Sequence, residues 1–139
     1  MSEIYFVIDG AVQPKQRPRF TRSGHTYTPK ATQNYEKKVK DAYVSEYPAG
    51  MAFKDEPLEM ILNVYIAVPK SYSKKKRDRM ILSEFPNKHN GDVDNLTKSI
   101  ADALNGTAYP DDCQIVHVNV WKLWSEESRA EVTIRSLKK

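Results

Sequence analysis

Leu58-Glu59-Met60-Ile61-Leu62-Asn63-Val64-Tyr65-Ile66-Ala67-Val68 is the segment around which the rest of the chain has to arrange itself. Leu58, Met60, Leu62, Val64, Ile66 and Val68 alternate without a break, the period-two pattern of a long strand with one buried face. Ile61, Tyr65 and Ala67 make the other face partly apolar as well, which places the strand inside a sheet rather than at its edge.

Glu59 and Asn63 interrupt the run, and no apolar stretch in the chain approaches the roughly 18 residues that span a bilayer. Met1-Ser2-Glu3 opens with an acid and no apolar run of roughly 7–15 residues follows, so neither a secretory signal nor a membrane partner is expected.

Working outward, Glu3–Asp9 predicts a first strand through Tyr5, Phe6, Val7 and Ile8, ended by Gly10. Ala11–Lys30 is punctuated by Pro14, Pro18, Gly24 and Pro29 and is expected to be a long basic loop. Thr28 is placed to cap a helix with Pro29 at its first position, and Tyr35, Val39, Ala42 and Tyr43 then follow helical spacing. Ser73–Ser83 reads as a short helix capped by Ser73, or equally as a mobile loop. Phe85–Val93 is irregular. Asp94–Leu104 is the clearest helix, with Asp94 as its natural cap, an apolar face of Leu96, Ile100, Ala103 and Leu104, and Asn105-Gly106 at its end. Gln114–Leu123 and Arg129–Leu137 are strands, expected to form a hairpin through Ser125-Glu126-Glu127-Ser128. The sum is one α+β domain over residues 1–139, built on a mixed β-sheet with a few helices.

The chain has 139 residues, enough to bury a core without disulfides or a structural metal. Its one cysteine, Cys113, excludes a disulfide framework and any Cys-rich zinc site, as suits a reducing, cytoplasmic setting. Twenty-two Lys and Arg against 18 Asp and Glu give a net charge of +4. The distribution says more. Lys15, Arg17, Arg19, Arg22 and Lys30 stand between Pro14 and Lys30 with no acid among them. Lys70, Lys74, Lys75, Lys76, Arg77 and Arg79 follow against one acid, Asp78, and then Asp92, Asp94, Asp102, Asp111 and Asp112 come close together. A basic frame around an acidic cluster suits a protein that grips phosphates and holds a divalent cation. Solvated loops and helix caps explain the same pattern more plainly.

Gly91-Asp92-Val93-Asp94-Asn95-Leu96-Thr97-Lys98 carries the sharpest chemical signal. In an extended segment Asp92 and Asp94 point the same way and supply hard oxygen ligands suited to Mg²⁺. Lys98 lies one helical turn beyond Asp94, where its ammonium can contact a scissile phosphate or stabilise a departing oxygen. Asp111-Asp112 sits in a connection able to return a third carboxylate to the first two. Three carboxylates and a lysine recur in metal-assisted phosphodiester hydrolysis. Against this, Asp94 alone is a good helix cap, Asp111-Asp112 after Tyr109-Pro110 also describes a plain turn, and Asp102 is expected to pair with Lys98. His25, His89 and His117 are scattered without metal-ligand spacing, and Trp121 and Trp124 point to core or interface.

Asp92-Val93-Asp94-Asn95-Leu96-x-Lys98, Asp102-Ala103-Leu104-Asn105-Gly106 and Asp111-Asp112-x-Gln114-Ile115-Val116 together closely resemble the RusA family of Holliday junction resolvases. Pro14-Lys15-Gln16-Arg17-Pro18-Arg19 with Tyr27-Thr28-Pro29 is similar to the form common in phage and Gram-positive members, and Arg129–Ile134 matches too. A longer polar insert than in the shorter members separates Lys74–Arg77 from Asp92. The resemblance implies a RusA-like fold and a homodimeric, Mg²⁺-dependent endonuclease, with Mn²⁺ a plausible substitute, that resolves four-way DNA junctions by paired symmetric cuts in recombination and repair. It leaves a 5′-phosphate and a 3′-hydroxyl. It implies Asp92, Asp94 and Asp112 as catalytic, metal-holding acids, Lys98 as the accompanying lysine and Asp111 as a neighbouring acid. No small-molecule cofactor is expected. Lys15, Arg17, Arg19, Arg22, Lys70, Lys74, Lys75, Lys76 and Arg77 are the candidate DNA contacts. The rival readings are a flap or fork nuclease with the same chemistry and a non-catalytic, structure-selective DNA-binding protein.

Overall fold

The computed structural model describes residues 2–15 and 19–138. Arg17 and the side chain of Arg19 lie outside the described residues. The main sheet has four strands in the order β1 (Glu3–Asp9), β6 (Arg129–Ser136), β4 (Leu58–Ala67), β5 (Ile115–Ser125). β6 runs antiparallel to both β1 and β4, whereas β4 and β5 are parallel. Fold class and central strand agree with the sequence reading.

One face of the sheet is fully buried. Ile4, Phe6 and Ile8 of β1, Ala130, Val132 and Ile134 of β6, and Leu58, Met60, Leu62 and Val64 of β4 have at most 1% of their surface exposed. Helix α1 (Lys30–Glu46) lays Tyr35, Val39 and Tyr43 on this face, and helix α3 (Val93–Leu104) adds Leu96, Ile100, Ala103 and Leu104. The opposite face is open and largely ionic. Arg135 bridges Glu3 at 2.7 Å and Glu59 at 3.2 Å, and the Arg129 guanidinium lies 3.9 Å over the Tyr65 ring. A second, smaller cluster of Val68, Met80 and Trp124 seats helix α2 (Lys74–Ser83). Ser73 caps α2 by accepting from the Lys76 N–H at 3.2 Å, which settles the helix-or-loop alternative for this segment.

Three local expectations are corrected. β5 and β6 are not a hairpin, because β4 lies between them. β4 is apolar enough on both faces to take a neighbour at each edge, so the short link after β5 crosses the end of β4. There the Ala67 N–H donates to Ser128 Oγ at 3.0 Å and the Val68 N–H to the Ser125 carbonyl at 2.9 Å. The basic loop contains a small antiparallel ribbon, β2 (Arg19–Phe20) with β3 (Thr26–Tyr27), turned where Gly24 adopts φ +83°. Helix α1 begins one residue later than Thr28 would set it. Pro29 stands at the cap with extended backbone and makes no side-chain cap bond, while the Thr28 carbonyl accepts from Gln33 Nε2 at 2.7 Å.

Leu62→Ala should destabilise the fold by about 2–5 kcal/mol, because it empties the centre of the buried face. Leu82, 85% exposed on α2, should tolerate the same change within about 0.5 kcal/mol. Chemical denaturation of the two variants checks the contrast.

Candidate active site

The N-terminus of α3 organises the site, and it begins one residue earlier than the sequence suggests. Asp92, not Asp94, is the cap: its backbone is extended and its Oδ1 accepts from the Asn95 N–H at 2.8 Å. Asp94 therefore falls inside the first helical turn, where the helix end favours a negative charge. Because the segment coils at Val93 instead of running extended, Asp92 and Asp94 do not point the same way. Asp94 opens into a cleft of about 530 Å³ shared with Thr97, Lys98 and the β5 side chains Val118 and Val120. Asp92 lines a neighbouring cleft with Pro86, Asn87, Lys88 and Lys122. Val93 forms a wall of both. Lys98 does stand one turn from Asp94 in one cleft, as its spacing requires.

The turn that delivers Asp92 is held from two sides. Asn90 and Gly91 both have positive φ, at +63° and +82°. Asn90 Nδ2 donates to the Val12 carbonyl at 2.9 Å, and Lys122 Nζ donates to the Gly91 carbonyl at 2.8 Å. A Cβ at Gly91 would lie 3.0 Å from Pro14 Cγ. The consecutive Asn-Gly is a turn signal readable in the sequence; nothing in the sequence marks Lys122.

At the other end of α3 stands a second acidic group. Asp111 caps the short 3-10 turn Asp112–Gln114, accepting from the Cys113 N–H at 3.0 Å while the Gln114 side chain accepts from the Asp111 N–H at 2.9 Å. Those contacts from Cys113 hold the Asp111 carboxyl below its ordinary pKa. Gln114 is itself fixed by donating to the Lys54 and Glu56 carbonyls. Asp112 is thereby turned toward Asp102. Burial first, and then the Asp102 and Asp111 carboxyls, push its pKa above the usual value.

Asp102 pairs with Lys15, not with Lys98. Lys15 Nζ lies 2.8 Å from Glu36 on α1 and 3.3 Å from Asp102 on α3, and the Lys15 N–H donates to the Asn95 carbonyl at 3.1 Å. Burial disfavours the ammonium, but its two carboxylate partners more than offset that and raise its pKa. Lys15, a candidate DNA contact by sequence, is thus turned inward between two helices.

The acids occupy three places. Asp102 lies two turns beyond Asp94, about 12 Å along the helix axis, and Asp112 stays beside Asp102. Among the described residues, no three His, Cys, Asp or Glu side chains gather as a metal-holding group. The histidines remain apart: His117 contacts Glu59 at 2.8 Å, and His89 packs edge-on against Trp124. Of the remaining basic candidates, Arg22, Lys70, Lys74, Lys75 and Lys76 are exposed. Lys74 pairs with Asp78 at 2.8 Å, and Lys76 lies over the Tyr72 ring at 3.6 Å. Arg77 is half-buried and contacts Glu126 at 3.5 Å.

Residues 9–135 match the family described as endodeoxyribonuclease RusA. A curated relative, the uncharacterized protein YqaN of Bacillus subtilis (strain 168), is 37% identical over 108 residues, covering 71% of this chain and 76% of its own.

Lys15→Met should lower stability by about 1–3 kcal/mol, since it strands two carboxylates and removes charged hydrogen bonds. The folded lysine has the raised pKa, so its contribution is complete below the ordinary lysine value and is lost only as pH rises through the folded one. Wild type and variant should therefore differ in urea unfolding at neutral pH and converge in strong alkali.

Proposed function

We propose that this chain, which belongs to the RusA endodeoxyribonuclease family, is a Mg²⁺-dependent endonuclease that resolves four-way DNA junctions as a homodimer. Family membership supports nuclease chemistry. The observation that carries the reading to particular residues is the open cleft between α3 and β5, where Asp94 and Lys98 stand one turn apart beside the Asp92 turn.

The donors fit a hard divalent cation in kind. Asp94 is exposed in its cleft, and Asp112 is held against Asp102 at an electrostatic cost that a cation relieves. Asp92, Asp94 and Asp112 are the proposed Mg²⁺ ligands, with Mn²⁺ as a substitute and Asp111 as the neighbouring acid; they stand apart in the single chain, so one ion shared by all three would require them to come together. When bound, such a cation lowers the pKa of a water and neutralises charge on the phosphate. The chain supplies the rest. Lys98 places an ammonium where a phosphate oxygen enters the cleft, and it stabilises charge as the leaving oxygen departs. Asp92 keeps the first turn of α3 closed through its cap, so the position of Asp94 depends on it.

Phosphate contacts fall to the exposed cations Arg22, Lys70, Lys74, Lys75 and Lys76, with Arg17, Arg19 and Arg77 completing the basic frame. A four-way junction is cut on two strands, and two copies related by a two-fold axis match that symmetry. The dimer would weigh about 32 kDa, twice the 16.0 kDa chain.

Asp94→Asn should leave folding and junction binding intact and abolish cleavage, because Asn keeps the size of the side chain and removes its charge. Asp92→Asn and Asp112→Asn should behave alike. Lys98→Ala should lose cleavage that added Mg²⁺ does not restore. Cleavage of a synthetic junction, a flap and a linear duplex, with Mg²⁺ and with EDTA, is the measurement; normal cleavage by Asp94→Asn sinks the assignment.

Salt dependence tests the contacts. Replacing Lys74, Lys75 and Lys76 with Ala should flatten the log–log slope of junction affinity by roughly 0.9 per lost duplex contact. Lys15→Met should leave it unchanged, because Lys15 faces inward.

A further inference from the structure

Phe85 and Trp121 come from separate elements and meet at the surface. Phe85 follows the end of α2, Trp121 lies on β5, and their ring centroids are 6.0 Å apart at an interplanar angle of 29°. Both are open to solvent, at 63% and 51% exposure, whereas Phe6, Tyr43, Phe53, Tyr109 and Trp124 are all buried. β5 is an edge strand, so no further strand flanks Trp121. The segment from Phe85 to Gly91 bends round that edge: His89 packs on Trp124, and Pro86, Asn87 and Lys88 line the cleft that holds Asp92 and Lys122.

Exposed Lys88 lies three residues from Phe85. It lines a cleft with Asp92 and with Lys122, which stands on the opposite face of β5 from Trp121. No acid lies between Phe85 and Gly91 in sequence. Glu84, next in sequence, is paired with Arg79 at 3.3 Å. A flat, exposed aromatic surface with Lys88 nearby matches neither a buried core nor a self-complementary contact. A second copy stacked there through a two-fold axis would bring its own Lys88 toward this one. It matches a nucleotide, whose base is a flat apolar ring and whose backbone is anionic.

We propose that the Phe85–Trp121 pair is a stacking platform for an unpaired nucleobase of the DNA, with the phosphates of that strand directed toward Lys88. The proposal rests on the nuclease reading and deepens it. Bases inside a duplex offer no free ring face, so the platform engages DNA only where a nucleotide has left the stack, as at a branch point. Because every base has such a face, it selects structure rather than sequence. Pro86, next in sequence to Phe85, lines the cleft that holds Asp92, so a nucleotide captured on the pair is brought toward the candidate chemistry.

The test uses a synthetic four-way junction carrying 2-aminopurine at the branch point, in EDTA so that nothing is cut. Wild-type protein should change the 2-aminopurine fluorescence. Phe85→Ala and Trp121→Ala should abolish that change and weaken junction binding about tenfold or more. Trp121→Phe should retain both. Duplex affinity should be the same for all four proteins, and thermal melting should confirm that these exposed substitutions leave the fold intact. Alanine variants that bind and perturb the junction like wild type overturn the proposal. So does a loss of binding that coincides with conversion of dimer to monomer in sedimentation, which would place the pair between protein copies. Failure of the nuclease reading looks different: the wild-type protein itself would show no preference for the junction and no Mg²⁺-dependent cleavage.

Discussion

Leu58, Met60, Leu62 and Val64 have to leave water together, and β4 can bury them only with strands at both of its edges and helices across one face. That requirement sets the positions of the remaining elements. β5 pairs parallel to β4, so the chain between them must travel back across the sheet, and α3 is the helix that does so over the buried face. β6 fills the other edge and in turn receives β1. The candidate site lies where α3 passes beside β5, the edge strand that no further strand covers. A cleft persists there because β5 turns Val118 and Val120 toward α3 without a helix to seal them.

The segment Val12–Lys15 makes that cleft a fixed geometry. It ties to the Asp92 turn through Asn90, to the first turn of α3 through Asn95, and to α1 through Glu36. Among the described residues the Lys15 ammonium is the one cation bridging Glu36 and Asp102, and its position lets α1 and α3 close without leaving carboxylates opposed. A surface lysine could not do this, because a solvated ammonium is screened from both partners. The basic N-terminal run is therefore not uniform: Lys15 is structural, while Arg22 is exposed.

Periodicity revealed β4, β1 and the apolar stripes of α1 and α3, because burial of one face leaves a repeat in the sequence. It did not reveal the order of the strands. Ser125–Ser128 is short enough for a hairpin, and only competition for the edges of β4 makes β6 pair there instead. The Asp92–Lys98 motif was legible as chemistry but not as geometry. Whether Asp92 or Asp94 caps α3 turns on a two-residue shift of the cap, and both residues are good caps. The shift leaves them lining separate clefts. Asp102 looked like the partner of Lys98 because the two share a helix face. Its contact with Lys15 joins distant parts of the chain, and no local spacing encodes that.

Asp112 gives the firmest support for more than capping in these acids. The Asp111 cap, the anchoring of Gln114 to the Lys54 and Glu56 carbonyls, and the buried Tyr109, whose hydroxyl donates to the Ala101 carbonyl at 2.6 Å, all fix the backbone that carries it. What they fix is a carboxyl facing another carboxyl, which desolvation and like charge both oppose. A turn required only to join α3 to β5 could relieve that opposition with Asn or Ser at position 112. Asp102 also meets the Lys15 ammonium at 3.3 Å, so it does not depend on Asp112 for a partner. Asp112 is therefore a carboxyl held against like charge, an opposition that the proposed cation would relieve.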